Sequence, residues 1–199
     1  LELIKYLCLK SQNSKRLFVF LSKKLPELIR ISFQASVSRV DTMKLLGLDI
    51  LRILLRQYSK IRDADNPENS ILELEEAQIT SALMPAFNAG SPPNVIISAI
   101  DVCAEFLSSN IAPLERANRV SGMMVSFLEV YNDKSSEIKI GDAKIITQKA
   151  KRKTELAILN AWSKLVQNAL VLKADTLIEF TKKYWDVLVP LWIISLREY

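Results

Sequence analysis

Histidine does not occur in this chain of 199 residues. Its absence excludes His-based triads, histidine general bases and histidine-containing metal sites from whatever this chain does alone. Glycine is nearly as scarce. Gly47, Gly90, Gly122 and Gly141 are scattered too widely for a phosphate-cradling loop of the Walker or dinucleotide type. The two cysteines, Cys8 and Cys103, make neither a CxxC pair nor a metal-ligand spacing. Each sits among apolar residues, as buried thiols do, which fits a reducing cytosol. Long apolar runs are missing as well. The most apolar stretch, Leu188 to Leu196, has about half the length that a spanning helix needs and contains Pro190. The chain opens at Leu1 without a methionine, a charged n-region or a small-residue cleavage site, so no signal peptide is expected and the start reads as an internal piece of a longer chain.

What remains is 49% apolar and 25% charged, the composition of a folded and soluble chain. Its dominant signal is helical periodicity. Leu48, Leu51, Leu55 and Tyr58 form one stripe, and Leu46, Ile50, Ile53 and Leu54 a second, so this helix is expected to be sandwiched, with Asp41 as its N-cap. Ser70-Ile71-Leu72-Glu73 is a capping-box pattern, and Leu72, Ile79, Leu83 and Phe87 then share a side, with a bend expected at Pro85. Ser91-Pro92-Pro93 restarts the chain into a stripe of Ile96, Ile100, Cys103 and Leu107. Pro113 opens a helix carried by Ala117, Val120, Met124 and Phe127. The Ser-, Lys- and Asp-rich stretch 132–146, with Gly141, reads as a mobile loop. A long helix over 147–172 follows, with Ile158, Trp162, Leu165 and Ala169 on its core side. The first helical stretch, 16–38, is expected to bend at Pro26, and the last, 174–197, at Pro190. No convincing period-2 strand is found.

Helical segments alternating with short turns give pairs at the 40–47-residue rhythm of HEAT or armadillo units. The expected fold is all-α, an α-solenoid of HEAT-like helical hairpins over 1–199 as a single segment. Its pairs fall at about 16–60, 70–109 and 113–172, with partial repeats at both ends and a flexible loop at about 132–146. Charge divides along the chain into a basic block at 1–62 (+9), an acidic one at 63–133 (−9) and a basic one at 134–199 (+5). Lys149, Lys151, Arg152 and Lys153 form the densest basic cluster, a candidate for nucleic acid or an anionic membrane, although no aromatic residues interleave with it. Most such charge is simply solvated helix surface.

Chemistry is hard to find. Glu73 and Glu76 stand one helical turn apart, but Glu73 has a capping role available, and no base or metal partner accompanies the carboxylates at 73, 75 and 76. Trp162, Trp185 and Trp192 are spaced as core or inter-repeat packing residues, and Met123 and Met124 as core fillers. The sequence thus nominates no catalytic, cofactor-binding or metal-binding residue, and it leaves the partner-binding residues unknown.

The run from Leu45 to Ile111 resembles a segment of the large HEAT-repeat accessory proteins of the trans-Golgi clathrin adaptor, in its fungal branch. Matching features are the leucine-rich helix, the acidic turn with Pro67, and the Ile71-Leu72-Glu73 entry. They continue through Ala77-Gln78, Ala82-Leu83, the Pro85-Ala86-Phe87 exit and Val102-Cys103. Further on, Glu155-Leu156-Ala157-Ile158-Leu159-Asn160-Ala161-Trp162 is similar to the family's Leu-Ala-x-Leu-x-Ala-Trp helix. Together these cover about 45–165. The helix from Pro113 is only loosely similar, the loop at 132–146 is idiosyncratic, and the first 40 residues carry no match.

The resemblance implies a non-enzymatic, cofactor-free scaffold of the cytoplasm, peripheral at the trans-Golgi network, endosomes and clathrin-coated vesicles. Its implied partners are the heterotetrameric clathrin adaptor and a small, disordered accessory subunit of the aftiphilin or synergin type, with self-association of the full-length protein and no nucleic acid. The competing readings are another HEAT-type scaffold, of nuclear transport or chromatin, and a basic helical-repeat module that binds nucleic acid. An overall pI near 9.2 weighs against a transport receptor, since those tend to be acidic.

Overall fold

The computed structural model describes residues 1–63, 68–109, 111, 117–132, 138–145 and 147–197. Eleven α-helices and one small hairpin occupy them. The helices are α1 (Glu2–Lys10), α2 (Lys15–Ser22), α3 (Leu25–Ser36), α4 (Asp41–Tyr58), α5 (Ile71–Leu74), α6 (Glu76–Leu83), α7 (Pro93–Ser108), α8 (Asn118–Asn132), α9 (Gln148–Leu172), α10 (Asp175–Lys182) and α11 (Trp185–Arg197). They stack in two layers. One is the unbroken series α1, α4, α7 and α9, each helix lying against the next. The other is built from shorter pieces, with α3 against both α4 and α6, α8 against α7 and α9, and α10 and α11 against α9. Burial accumulates between the layers and between successive pairs, as in a solenoid.

The apolar stripes lie where their spacing puts them. Leu48, Leu51, Leu55 and Tyr58 are buried in α4, as are Ile50, Ile53 and Leu54 of the second face, while Leu46 is half-buried. Ten of the sixteen residues of α7 are buried, so this helix is covered on several sides at once. Gly47 brings α3 and α4 together. Ser32, Ala35 and Ser36 face it, and both serine hydroxyls donate back into their own helix, to the carbonyls of Leu28 and Phe33. Trp162 joins three elements: its Nε1 donates to the Met124 carbonyl of α8 at 3.1 Å, and its ring packs on Phe180 and Tyr184.

Several elements depart from the sequence pattern. The first helical stretch breaks at Lys23–Lys24, not at Pro26, which sits in the first turn of α3 where a missing N–H costs nothing. The last breaks at Lys183–Tyr184, with Pro190 inside α11. The two breaks share a chemistry. Ser22 donates its hydroxyl to the Val19 carbonyl and Thr181 to that of Ile178, so each closes off helical carbonyls immediately before a pair of lysines. Asp41 is not an N-cap. It lies in the first turn of α4 behind Val40 and pairs with Lys44 at 3.3 Å. Ser70 does cap, accepting from the Glu73 N–H at 3.1 Å. Pro113 lies outside the described residues.

Strand is present after all. Within the stretch expected to be a mobile loop, β1 (Ile138–Ile140) and β2 (Ala143–Ile145) pair antiparallel, with Ile140 opposite Ala143. Gly141 takes the first position of the two-residue turn with φ +58°, the conformation such turns demand of glycine. The hairpin is docked: the Asp142 N–H donates to the Phe87 carbonyl at 2.9 Å, and Ile140, Ala143 and Ile145 are buried.

Candidate functional site

No group of three or more His, Cys, Asp or Glu that could hold a metal occurs among the described residues. The carboxylates at 73, 75 and 76 do not form a pair on one helix, because α5 ends at Leu74, and Glu75 is the joint before α6. Burial pushes the Cys8 thiol up to about 11 and raises that of Cys103 further. A thiol so disfavoured as thiolate is neither a nucleophile nor a redox centre. Of the tryptophans, Trp162 is fully buried, Trp192 is half-buried with Nε1 donating to the Leu159 carbonyl, and Trp185 is 37% exposed. Met124 is buried and Met123 half-buried.

Polar organisation concentrates on the unbroken layer. Lys5 of α1 meets Asp49 of α4 at 2.6 Å, and Arg52 of α4 reaches both Asp49 and Asp101 of α7 at 3.3 Å. Lys164 of α9 reaches the other oxygen of Asp101 at 3.2 Å. Four successive helices are thereby tied by one chain of alternating charges. Each carboxylate bridges two cations, which gives a network more than isolated surface pairs contribute. One turn beyond Asp101, Glu105 is held above the ordinary glutamate range by desolvation, opposed by Arg56, Lys164 and Arg52 and reinforced by Asp101. Sequence reasoning misses this chain of pairs because its partners stand 44, 49 and 63 residues apart.

Three open clefts run between the helices among the described residues. One of about 540 Å³ lies at the carboxyl ends of α4, α7 and α9, with Lys60, Arg62, Glu73, Ser109 and Lys173 in its wall. Another of about 590 Å³ lies beside Ser11, Lys15, Phe18 and Arg56. The third, about 420 Å³, separates Thr80 of α6 from Arg119 of α8. The first gathers Glu73 with Lys60, Arg62 and Lys173, and the third Glu76 with Arg119, so opposite charges line two of the three. The basic cluster occupies the first two turns of α9, where Lys149, Arg152 and Lys153 are exposed and Lys151 is half-buried.

Paired helices stacked in two layers, with open grooves between them, define a HEAT-type α-solenoid, a class built to present surface to other macromolecules. The chain belongs to the family described as the Laa1/Sip1/HEATR5 HEAT repeat region, whose model it matches over residues 20–199. It is 52% identical over 199 residues to the AP-1 accessory protein LAA1 of Saccharomyces cerevisiae, covering the whole of this chain and 10% of that protein. It is 28% identical over 87 residues to Protein SWEETIE of Arabidopsis thaliana, 44% of this chain and 4% of that one. The chain therefore spans about a tenth or less of the relatives it matches. The likeness also reaches beyond residues 45–165, into the first 40 and across the hairpin. No solved structure matches.

Proposed function

We propose that this chain is one continuous stretch of a non-enzymatic scaffold that works with the AP-1 clathrin adaptor, helping to recruit or retain it on trans-Golgi and endosomal membranes. Identity of 52% along the whole chain to a protein named as an accessory of that adaptor carries the reading. The fold supports it. A stack of hairpins presents long surfaces on which extended peptides or helices bind through many modest contacts. On this reading the small accessory subunit of the aftiphilin or synergin type binds the same platform, and the full-length protein self-associates. The repeats run without a globular boundary over 1–199, at about 16–60, 70–109 and 113–172.

The test is an internal replacement. In the full-length protein, residues 1–199 are exchanged for an equal number of consensus HEAT repeats, and adaptor and accessory subunit are recovered by co-precipitation. Loss of either with the protein still folded supports a binding role for this stretch. Recovery unchanged for both reduces the stretch to a spacer and refutes the proposal for these residues.

A further inference from the structure

We propose that the cleft between the last turn of α4 and the short turn Ser11–Asn13, which joins α1 to α2, is a docking site for an acidic peptide in extended conformation. The cleft encloses about 590 Å³. Gln12, Asn13 and Lys15 enter it from the turn and the start of α2, and Arg56 and Gln57 from α4. The proposal takes from the scaffold reading above only that the partner is a protein.

Buried bonds hold the two sides of the cleft together. The Tyr58 hydroxyl of α4 donates to Ser11 Oγ at 2.7 Å, and Ser11 Oγ donates in turn to the Cys8 carbonyl at 2.6 Å. Phe18 of α2 stacks on the Tyr58 ring with centroids 4.7 Å apart and planes 8° apart. Ser11 and Tyr58 are both buried, so the walls are set before a ligand arrives and little ordering is left to oppose its binding.

The polar groups above this base are unengaged. Lys15 and Arg56 are exposed and make no ion pair among the described residues. Gln12 and Asn13 are exposed too, and their amides make no hydrogen bond among those residues. No carboxylate among them lines the cleft. Arg56 does act on Glu105, but shares that carboxyl with Arg52 and Lys164. The surrounding block cannot supply the missing charge. Residues 1–62 carry 13 Lys and Arg against 4 acids, and Glu27, Asp41 and Asp49 are already paired with other lysines and Arg52.

The lining selects a peptide over other polyanions. Phosphate oxygens only accept hydrogen bonds, whereas the amides of Gln12 and Asn13 each hold donors and an acceptor, as does an extended main chain. Acidic side chains of such a peptide meet Lys15 and Arg56, and the half-buried Phe18 adds an apolar contact. A flat bilayer cannot follow into a recess between helices.

Fluorescence anisotropy of this chain with a labelled peptide of about ten residues, acidic but for a central leucine and long enough to cross the cleft when extended, tests the proposal. The peptide should bind, more weakly as salt is added, and its counterpart with every acid replaced by the amide should not. Lys15→Gln and Arg56→Gln should each weaken binding roughly two- to fivefold, as loss of an exposed charge pair does. Gln12→Ala with Asn13→Ala should weaken it without altering its salt dependence. Lys182→Gln with Lys183→Gln, a loss of charge at another exposed pair, should leave it intact. Lys15→Gln alone gives the reading should Arg56→Gln disturb folding beside Glu105. Equal affinity for the amide counterpart, equal affinity of the parent and every cleft variant, or no binding at about 1 mM peptide overturns the proposal. Displacement of the labelled peptide by polyuridylate or phosphatidylserine vesicles as readily as by unlabelled peptide overturns it in favour of a general polyanion surface. The assay contains no adaptor, so its failure is separate from that of the co-precipitation above.

Discussion

Gly47 offers a sharp test of how the helical layers are joined, because the same substitution should have opposite signs at two helical glycines. Replacing a mid-helix glycine by alanine ordinarily stabilises by about 1 kcal/mol, through a narrower unfolded ensemble and better helix propensity. At Gly122 of α8 nothing lies within 4 Å of the added methyl, so Gly122→Ala should realise that gain. At Gly47 the methyl would lie 2.6 Å from Ser36 N, 2.7 Å from Ser32 O and 2.9 Å from Ala35 Cβ. Two of these atoms are the donor and acceptor of one turn of α3, so no flexible side-chain end can swing aside. Forcing two helices apart in a packed core costs about 1–3 kcal/mol, and backbone contacts this short belong at the upper end. Gly47→Ala should therefore lose about 2 kcal/mol net. With a urea m-value of about 2 kcal/mol/M, its midpoint falls by about 1 M while that of Gly122→Ala rises by about 0.5 M, both at unchanged m. A Gly47→Ala protein as stable as the parent would refute the close approach of α3 and α4.

Glu105→Gln should stabilise the protein at neutral pH. Because desolvation raises the Glu105 carboxyl above its unfolded value, the native state holds a proton that the unfolded chain has released. Stability therefore declines as pH rises through that window, and the variant should lose this decline in urea midpoints measured from about pH 4 to 7. A parent whose midpoints rise through the window would contradict the assignment. Trp162→Phe removes the bond to the Met124 carbonyl and part of the stack on Phe180 and Tyr184, and should cost about 1–3 kcal/mol in the same assay. Cys103, buried and with its thiol held up by desolvation, should resist iodoacetamide in the native protein and react only in urea. Rapid native labelling at Cys103 would show that α7 is not enclosed.

The core was readable because burial follows local period. Ile158, Trp162, Leu165 and Ala169 follow a helical repeat whatever surrounds them, and all four are buried. Joints were harder. Proline drew the expected bends to Pro26 and Pro190, yet Pro26 lies in a first turn, where it breaks nothing, Pro190 lies inside α11, and Ser22 and Thr181 act at the breaks through hydroxyl bonds that no periodicity reveals. The hairpin escaped for want of length, since three residues per strand cannot establish alternation, and the docking of its turn on Phe87 is a tertiary event. The ion-pair chain was illegible for a simpler reason. Nothing in Lys5, Asp49, Arg52, Asp101 or Lys164 taken singly says that they share a surface. The basic turns of α9 were visible at once, and the expected start of that helix at 147 matches the observed one at Gln148 behind its cap Thr147.

The division of labour between continuous and segmented helices has a mechanical consequence. Rods stitched together by charge form a spine of nearly fixed length, whereas the opposite flank is jointed at Lys23–Lys24, at Glu75 and at Lys183–Tyr184. Under load such a strip should bow like a bimetallic blade, opening or closing its hinges on the jointed flank while the spine keeps its spacing. A scaffold made this way could follow the changing curvature of whatever it is attached to without unravelling.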